Sequence, residues 1–361
     1  MHVIYARNVN DAYVAGMHYM STHGQAYPSR NGPVKVVPYP VTTVYAKPTE
    51  RVLFDEQRDA NPFFHLFEAL WMLDGRNDVK TMDQFLKSFK QFSDDGETYH
   101  GAYGYRWRHW PRYEYDRGHP QDGYDRIDFD QLPVAIGMLK KDPPSRRVII
   151  AMWDPTQDLD TQHNDIPCND LIKLRIVDGA LHMQVYCRSN DIVLGCYGAN
   201  AVHMSMLQEY LAAQIGIAVG TYTQISGDYH AYTERPYTWE KYYPLKQEPR
   251  EYHEFTTFPL VHTPKEFDAE LSQVMRFVED GSLLDRKLCN YQNPFFQRVV
   301  LPMYRAHWFY REKEMDKALD TLAIANASVP NAVPSWSFGA RNDWIMAGFE
   351  WLLRRDRKKF T

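Results

Sequence analysis

No two cysteines in this 361-residue chain form a CxxC pair, and none of the four (Cys168, Cys187, Cys196, Cys289) stands at metal-ligand spacing from a histidine. A cysteine-built metal module and a disulfide scaffold are thereby excluded, so no metal is expected and the thiols read as reduced. No run of eighteen apolar residues occurs, and the opening segment Met1-His2-Val3-Ile4-Tyr5-Ala6-Arg7 has no apolar signal core. The expectation is a cytoplasmic protein, in the host cytoplasm if the source is viral, with no membrane partner. Excess positive charge is also missing: 41 Lys and Arg against 46 Asp and Glu give a net charge of -5. Without a broad basic field, polymeric nucleic acid is an unfavourable partner, whereas a single nucleotide needs only a local cluster of arginines. Internal repeats and low-complexity segments are absent as well.

What is present is ordinary for a soluble globular protein, with 44% hydrophobic, 24% charged and 14% aromatic residues. The segment 62–73 (PFFHLFEALWML) is apolar nearly all round and predicts a buried helix with Glu68 inside it. Helical spacing runs from Ile127 to Leu139 and stops at Asp142-Pro143-Pro144, and Arg147 to Trp153 reads as a central strand. Leu171–Val177 and Leu181–Tyr186 around Asp178-Gly179 predict a hairpin, because Asp-Gly suits a turn with positive φ angles. Asn200 to Ile215 reads as a helix closed by Gly216. Beyond residue 262 the pattern is helical: Phe267–Val278, Val299–Arg311, Lys313–Ala325 and Asn342–Arg354. The expected architecture is an α/β (α+β) catalytic domain over 1–262 followed by a helical extension over 263–361.

Several segments carry chemistry. Cys168, after Pro167 and at the start of the hairpin, could act as a nucleophile only as thiolate, which requires a nearby cation; Arg188 is the candidate. Read alone, Cys168 is more readily a buried structural cysteine; the surrounding motifs reverse that. Arg188-Ser189 combines a guanidinium fork with a hydroxyl and suits a phosphate, and Arg146-Arg147 offers a second clamp. Each pair could instead be a solvated surface or an ion-pair site. Glu68, inside an apolar helix, must be paired, protonated or functional. Asn200 would cap the helix it heads, or present its amide to a ligand.

Taken in order, Asp165-Ile166-Pro167-Cys168-Asn169-Asp170, Cys187-Arg188-Ser189-Asn190-Asp191, Asn200 and Gly227-Asp228-Tyr229-His230-Ala231-Tyr232 resemble the thymidylate synthase family, including its pyrimidine-nucleotide hydroxymethylase branch. The resemblance covers roughly residues 30–235. It implies a large mixed sheet with surrounding helices, a folate one-carbon donor (5,10-methylenetetrahydrofolate) and a homodimer sharing arginines across its interface. Cys168 would be the nucleophile, with Glu68, Tyr103 and Asp191 as its catalytic company. Glu68 falls in a Glu-x-x-Trp run, and Tyr103 in Gly101-Ala102-Tyr103-Gly104-Tyr105-Arg106-Trp107-Arg108-His109-Trp110, a segment that the resemblance puts beside the nucleophile. Arg30, Arg188 and Ser189 would hold the phosphate, with Arg146 and Arg147 reaching the partner's site. Asn200 would read the N3/O4 edge of the base, His230 and Tyr232 would hold the 3′-hydroxyl, and Asp191, Gly195 and Trp107 would meet the folate.

Three departures bear on the reaction. Asn169 stands where methylating members have histidine, Cys187 stands where they have glutamine, and the basic run Arg354-Arg355-Asp356-Arg357-Lys358-Lys359 replaces their short apolar tail. Losing an apolar lid admits water, which favours hydroxymethylation of the nucleotide over reductive methylation. The expectation is therefore a deoxynucleotide C5 hydroxymethyltransferase, with dUMP favoured by Asn200 and dCMP close behind. The alternatives are a thymidylate synthase and, in another class, a catalytically silent nucleotide-binding protein.

Overall fold

Asp178 and Gly179 adopt φ angles of 49° and 73°, so the two-residue turn closes the hairpin as expected. It joins β8 (Asn169–Val177) to β9 (Ala180–Cys187), the centre of a six-stranded mixed sheet in a computed structural model describing residues 1–115, 124–234, 238–288, 290–327 and 341–357. The strand order is β1-β4-β11-β9-β8-β7, with β1 His2–Ala6, β4 Val41–Tyr45, β7 Ile149–Ala151 and β11 Ala218–Ser226. Between β1 and β4 lie β2 (Gln25–Tyr27) and β3 (Val34–Val37), which join β10 (Asn190–Asp191) and β12 (Tyr229–Tyr232) in a second, four-stranded sheet. A separate hairpin pairs β5 (Trp110–Tyr115) with β6 (Tyr124–Phe129).

One face of the six-stranded sheet is apolar and covered. Ile4, Tyr45, Tyr222, Met183, Val185, Ile172, Leu174 and Ile150 are all buried on it, beneath α1 (Val9–His23) and α5 (Asn200–Ile215). Helix α2 (Pro62–Leu73) packs on α5 and buries every one of its residues. Between α2 and α5 in sequence come α3 (Tyr103–Arg108) and α4 (Gln131–Lys141). Helix α3 crosses the end of α2 so closely that a Cβ on Gly104 would lie 1.9 Å from the Met72 carbonyl oxygen; only glycine permits that crossing.

Among the described residues no helix covers the other face. The strand registers bring Ile149, Lys173, Gln184, Thr223, Val44 and Tyr5 into one row across that face, and Leu171, Tyr186 and Ile225 into the next. Tyr5 is 79% exposed and Ile149 52%.

The C-terminal helices are α6 (Pro264–Glu279), α7 (Leu301–Arg311), α8 (Met315–Ala327) and α9 (Asp343–Arg357). They cover the remaining side of α2: the Phe63 ring lies 5.2 Å from His307 and 5.5 Å from Trp351, and Phe67 lies 5.8 Å from Tyr304. In the expected basic tail, Arg354 and Arg355 both bind Asp59, while Lys358 and Lys359 lie outside the described residues. No helix among the described residues is long and apolar enough to cross a membrane.

Four boundaries differ from the sequence reading. Ile127 belongs to strand β6, and the helix after it starts at Gln131, because Asp130 accepts from the Leu132 N–H as its cap. Lys313 has a φ of 65°, which no helix continues through, so α8 begins at Met315. The strand predicted over Arg147–Trp153 is confined to Ile149–Ala151. Asn200 caps nothing: a π-helical segment, Ile192–Ala199, kinks at Gly198 (φ -118°, ψ -105°) and leads into α5, where Asn200 already has helical angles of -62° and -37°.

Candidate active site

The site forms where β8, β9, β10 and β12 end around a cavity of about 490 Å³, within the range of small-molecule sites. Cys168 stands in its wall, half-buried, at the start of β8. The Cys168 backbone N–H donates to the Tyr103 hydroxyl at 3.2 Å, so the first residue of α3 fixes the backbone of the thiol. Arg188, at the end of β9, holds the other side. Its Nε donates to the Pro167 carbonyl at 2.8 Å and its Nη2 to Ile166 at 3.1 Å, and its guanidinium lies 5.2 Å from the Trp153 ring centre. In that posture Nη2 is 3.9 Å from the Cys168 sulfur. Burial pushes the thiol above its ordinary value, and the Arg188 charge opposes that shift.

Arg30, Arg188 and Ser189 line the same cavity. Arg146 and Arg147 do not; both are exposed, ahead of β7 at the sheet edge. His230 and Tyr232 project into the cavity from β12, their rings perpendicular and 5.4 Å apart. Burial works to lower the His230 pKa, but the Asp228 carboxylate 2.9 Å away and the charge of Asp191 together raise it above the usual value. Asp191 lines the cavity and accepts from the Val193 N–H, with burial raising its carboxyl.

Glu68 lies behind this wall. Its Oε2 is 2.8 Å from His203 Nε2 on α5, both side chains are buried, and the two atoms form no hydrogen bond. Trp107, like Tyr103, Gly195 and Asn200, is not among the residues lining the cavity; its ring is 0% exposed and packs in the core. Gly195 instead lies beside the Asn200 amide; a Cβ there would approach Asn190 Oδ1 to 3.2 Å and Asn200 Nδ2 to 3.4 Å.

Asn200 is buried and held by two other asparagines. Asn169 Nδ2 donates to Asn200 Oδ1, and Asn200 Nδ2 donates to Asn190 Oδ1, each at 3.1 Å. Nothing in the sequence reading singled out Asn190, yet its place beside Ser189 in the motif was visible. Asp165 was also passed over. It lines the cavity three positions before Cys168 and accepts the Gly101 N–H at 2.9 Å, and burial pushes its carboxyl up to about 6. A carboxylate so close to a candidate nucleophile in sequence was the available signal.

Comparison with known proteins agrees with this geometry. Residues 57–292 match the thymidylate synthase family. The chain is 40% identical over 369 residues to a deoxyuridylate hydroxymethyltransferase of Pseudomonas phage M6, covering 98% of this chain and 95% of that protein. A deoxyuridylate hydroxymethyltransferase of Bacillus phage SP01 is 35% identical over 54% of the chain and 50% of its own length. A thymidylate synthase of Corynebacterium aurimucosum is 33% identical over 53% of the chain and 66% of its own length. Homology to a hydroxymethyltransferase over nearly the whole chain makes this protein a transferase. The chain belongs to the thymidylate synthase family.

Asp165 yields a pH-dependent prediction. Its carboxyl is raised in the folded protein, so its contribution to stability is present below about pH 4 and lost as pH rises through about 6. Asp165→Asn should therefore raise the melting temperature at pH 8, by an equivalent of about 1–2 kcal/mol after solvent screening. The difference should vanish near pH 4. Thermal melts of both proteins across this range check it; a constant difference would contradict the assigned shift.

Proposed function

We propose that this protein transfers a one-carbon unit from 5,10-methylenetetrahydrofolate to C5 of a pyrimidine 2′-deoxynucleoside monophosphate, giving the 5-hydroxymethyl nucleotide, with dUMP as the substrate. The observation that carries the reading is the Cys168–Arg188 contact, in a chain that aligns end to end with a protein named for that reaction. Cys168 adds to C6, and the ring electrons move toward C5 and O4, making C5 nucleophilic. Arg188 can serve two roles, because Nε and Nη2 hold the carbonyls of Pro167 and Ile166 while Nη1, without a hydrogen-bond partner among the described residues, can meet an anion. Together with Arg30 and Ser189 it receives the phosphate; His230 and Tyr232 receive the 3′-hydroxyl, and Asn200 receives the base.

The folate fits on the Asp191 side, where a carboxylate in the wall can accept from the N–H edge of a pterin ring. When bound there it supplies carbon at the formaldehyde oxidation level. Glu68 and Tyr103 relay protons through water, and Asp165, titrating near 6, can exchange a proton at neutral pH. Hydroxymethylation leaves tetrahydrofolate unoxidised: C5 loses a proton, gains the methylene, and water provides the hydroxyl. The polar wall of Asn31, Asn164, Asp165 and Asp228 keeps water at the reacting side. Helices α6, α7 and α9 serve as the packing support of α2, and through it of Glu68.

Incubation with dUMP or dCMP and the folate, followed by product mass spectrometry and absorbance at the dihydrofolate band, tests this. The expected product is 5-hydroxymethyl-dUMP with no dihydrofolate, and Cys168→Ser should abolish it while still binding nucleotide. Thymidylate with stoichiometric dihydrofolate would replace the hydroxymethyl assignment, and full activity in Cys168→Ser would remove the nucleophile.

The uncovered sheet face supports a twofold dimer, with the rows through Tyr5, Ile149 and Tyr186 buried against a second copy. Arg147 is exposed two positions before Ile149 at the edge of that face, from where it would reach the partner's site. Mixing Arg147→Ala with Cys168→Ser, each inactive alone, should restore activity in the heterodimer. Verified heterodimers without recovery would place Arg147 in its own subunit's site or outside catalysis altogether.

A further inference from the structure

Two of the departures in the sequence touch each other. Asn169 and Cys187 are cross-strand partners on β8 and β9, and the Cys187 thiol donates to Asn169 Oδ1. From there the hydrogen bonds run head to tail: Asn169 to Asn200, Asn200 to Asn190, and Asn190 Nδ2 to Ser226 Oγ at 2.9 Å. Every member is buried, with Asn169 and Cys187 0% and 2% exposed and Asn190, Asn200 and Ser226 1%, 6% and 1%.

An amide donates at one end and accepts at the other, so all three asparagines must point the same way. Turning one alone would set N–H against N–H and C=O against C=O, a buried mismatch at each contact. Asn200 therefore cannot flip independently. After its two relay bonds it keeps one free N–H and one free lone pair. The 3,4 edge of uracil, a carbonyl beside an N–H, matches that pair in one orientation; that of cytosine, an amine beside a bare nitrogen, matches only the reverse. The Cys187 end sets the direction. Its S–H faces the Asn169 oxygen, whereas the reversed relay would ask an amide N–H to donate to sulfur, a weak acceptor.

We infer that Cys187, Asn169 and Asn190 are specificity-determining positioning residues, because the direction of their relay decides whether Asn200 turns its N–H or its C=O toward the C4 substituent of the pyrimidine. The inference rests on the proposal that Asn200 meets the base. Asn169→Asp tests it directly. A carboxylate still accepts from Cys187 but cannot donate to Asn200. Asn200 must then donate to it, Asn190 to Asn200 and Ser226 to Asn190, so the relay beyond position 169 reverses with every bond made.

Dissociation constants for dUMP and dCMP, measured calorimetrically on the full chain, give the readout without requiring turnover. Asn169→Asp should move the dUMP/dCMP ratio at least about tenfold toward the nucleotide the unaltered protein binds less well. Cys187→Ser, which keeps a donor at the terminus, should leave the ratio within about threefold. Cys187→Ala, which removes the donor without adding charge and serves should Asn169→Asp fail to fold, should narrow it. Unchanged ratios in Asn169→Asp and Cys187→Ala that still bind nucleotide would overturn the relay. Binding of neither nucleotide by the unaltered protein would overturn the reading of the site itself, and the relay with it.

Discussion

A thiol set in a desolvated wall stays protonated unless a cation is held against it, and the site is organised around that one constraint. Arg188 meets it because three partners fix the guanidinium: the carbonyls of Ile166 and Pro167 and the face of Trp153. The same bonds tie the end of β9 to the start of β8, so the cation and the thiol are positioned by one arrangement of backbone. Tyr103 completes it from the opposite side by accepting the Cys168 N–H. Displacing any of these elements would separate the charge from the sulfur.

Those elements are held in turn by helices that never reach the cavity. Tyr103 opens α3, α3 is pressed onto the end of α2 at Gly104, and α2 is enclosed between α5 and the C-terminal helices. Phe63 and Phe67 take their contacts from His307, Trp351 and Tyr304, so the C-terminal helices act on the chemistry through packing. The Arg354 and Arg355 bonds to Asp59 anchor the last of them to the body. The basic character that looked like a solvated tail is, at those two positions, an attachment.

Much of this was legible in the sequence wherever one local rule decided the outcome. Asp178-Gly179 fixed the hairpin because few residues tolerate its φ angles, and the unbroken apolar run 62–73 could only be buried. Ordered motifs located Cys168, Arg188, Ser189, His230 and Tyr232 around what proved to be one cavity. What the sequence concealed depends on contacts between strands. Asn169 and Cys187 looked like two separate departures, and only the β8–β9 register reveals them as a bonded pair. Trp107 was named by its motif alone, and its burial in the core follows from the turn of α3, which the motif does not display. Asn200 looked like a cap because the π-helical turn before it leaves no mark in residue pattern.

The central claim is that Arg188 is what brings the Cys168 thiol into its reactive state. Alkylation of Cys168 by iodoacetamide, followed by peptide mass spectrometry across pH, measures this directly in the unaltered protein and in Arg188→Ala. Cys187 and Cys196, fully buried, should stay unlabelled in both. With the guanidinium removed, burial acts unopposed, and the account predicts that the Cys168 profile shifts to higher pH. Superimposable profiles would contradict it.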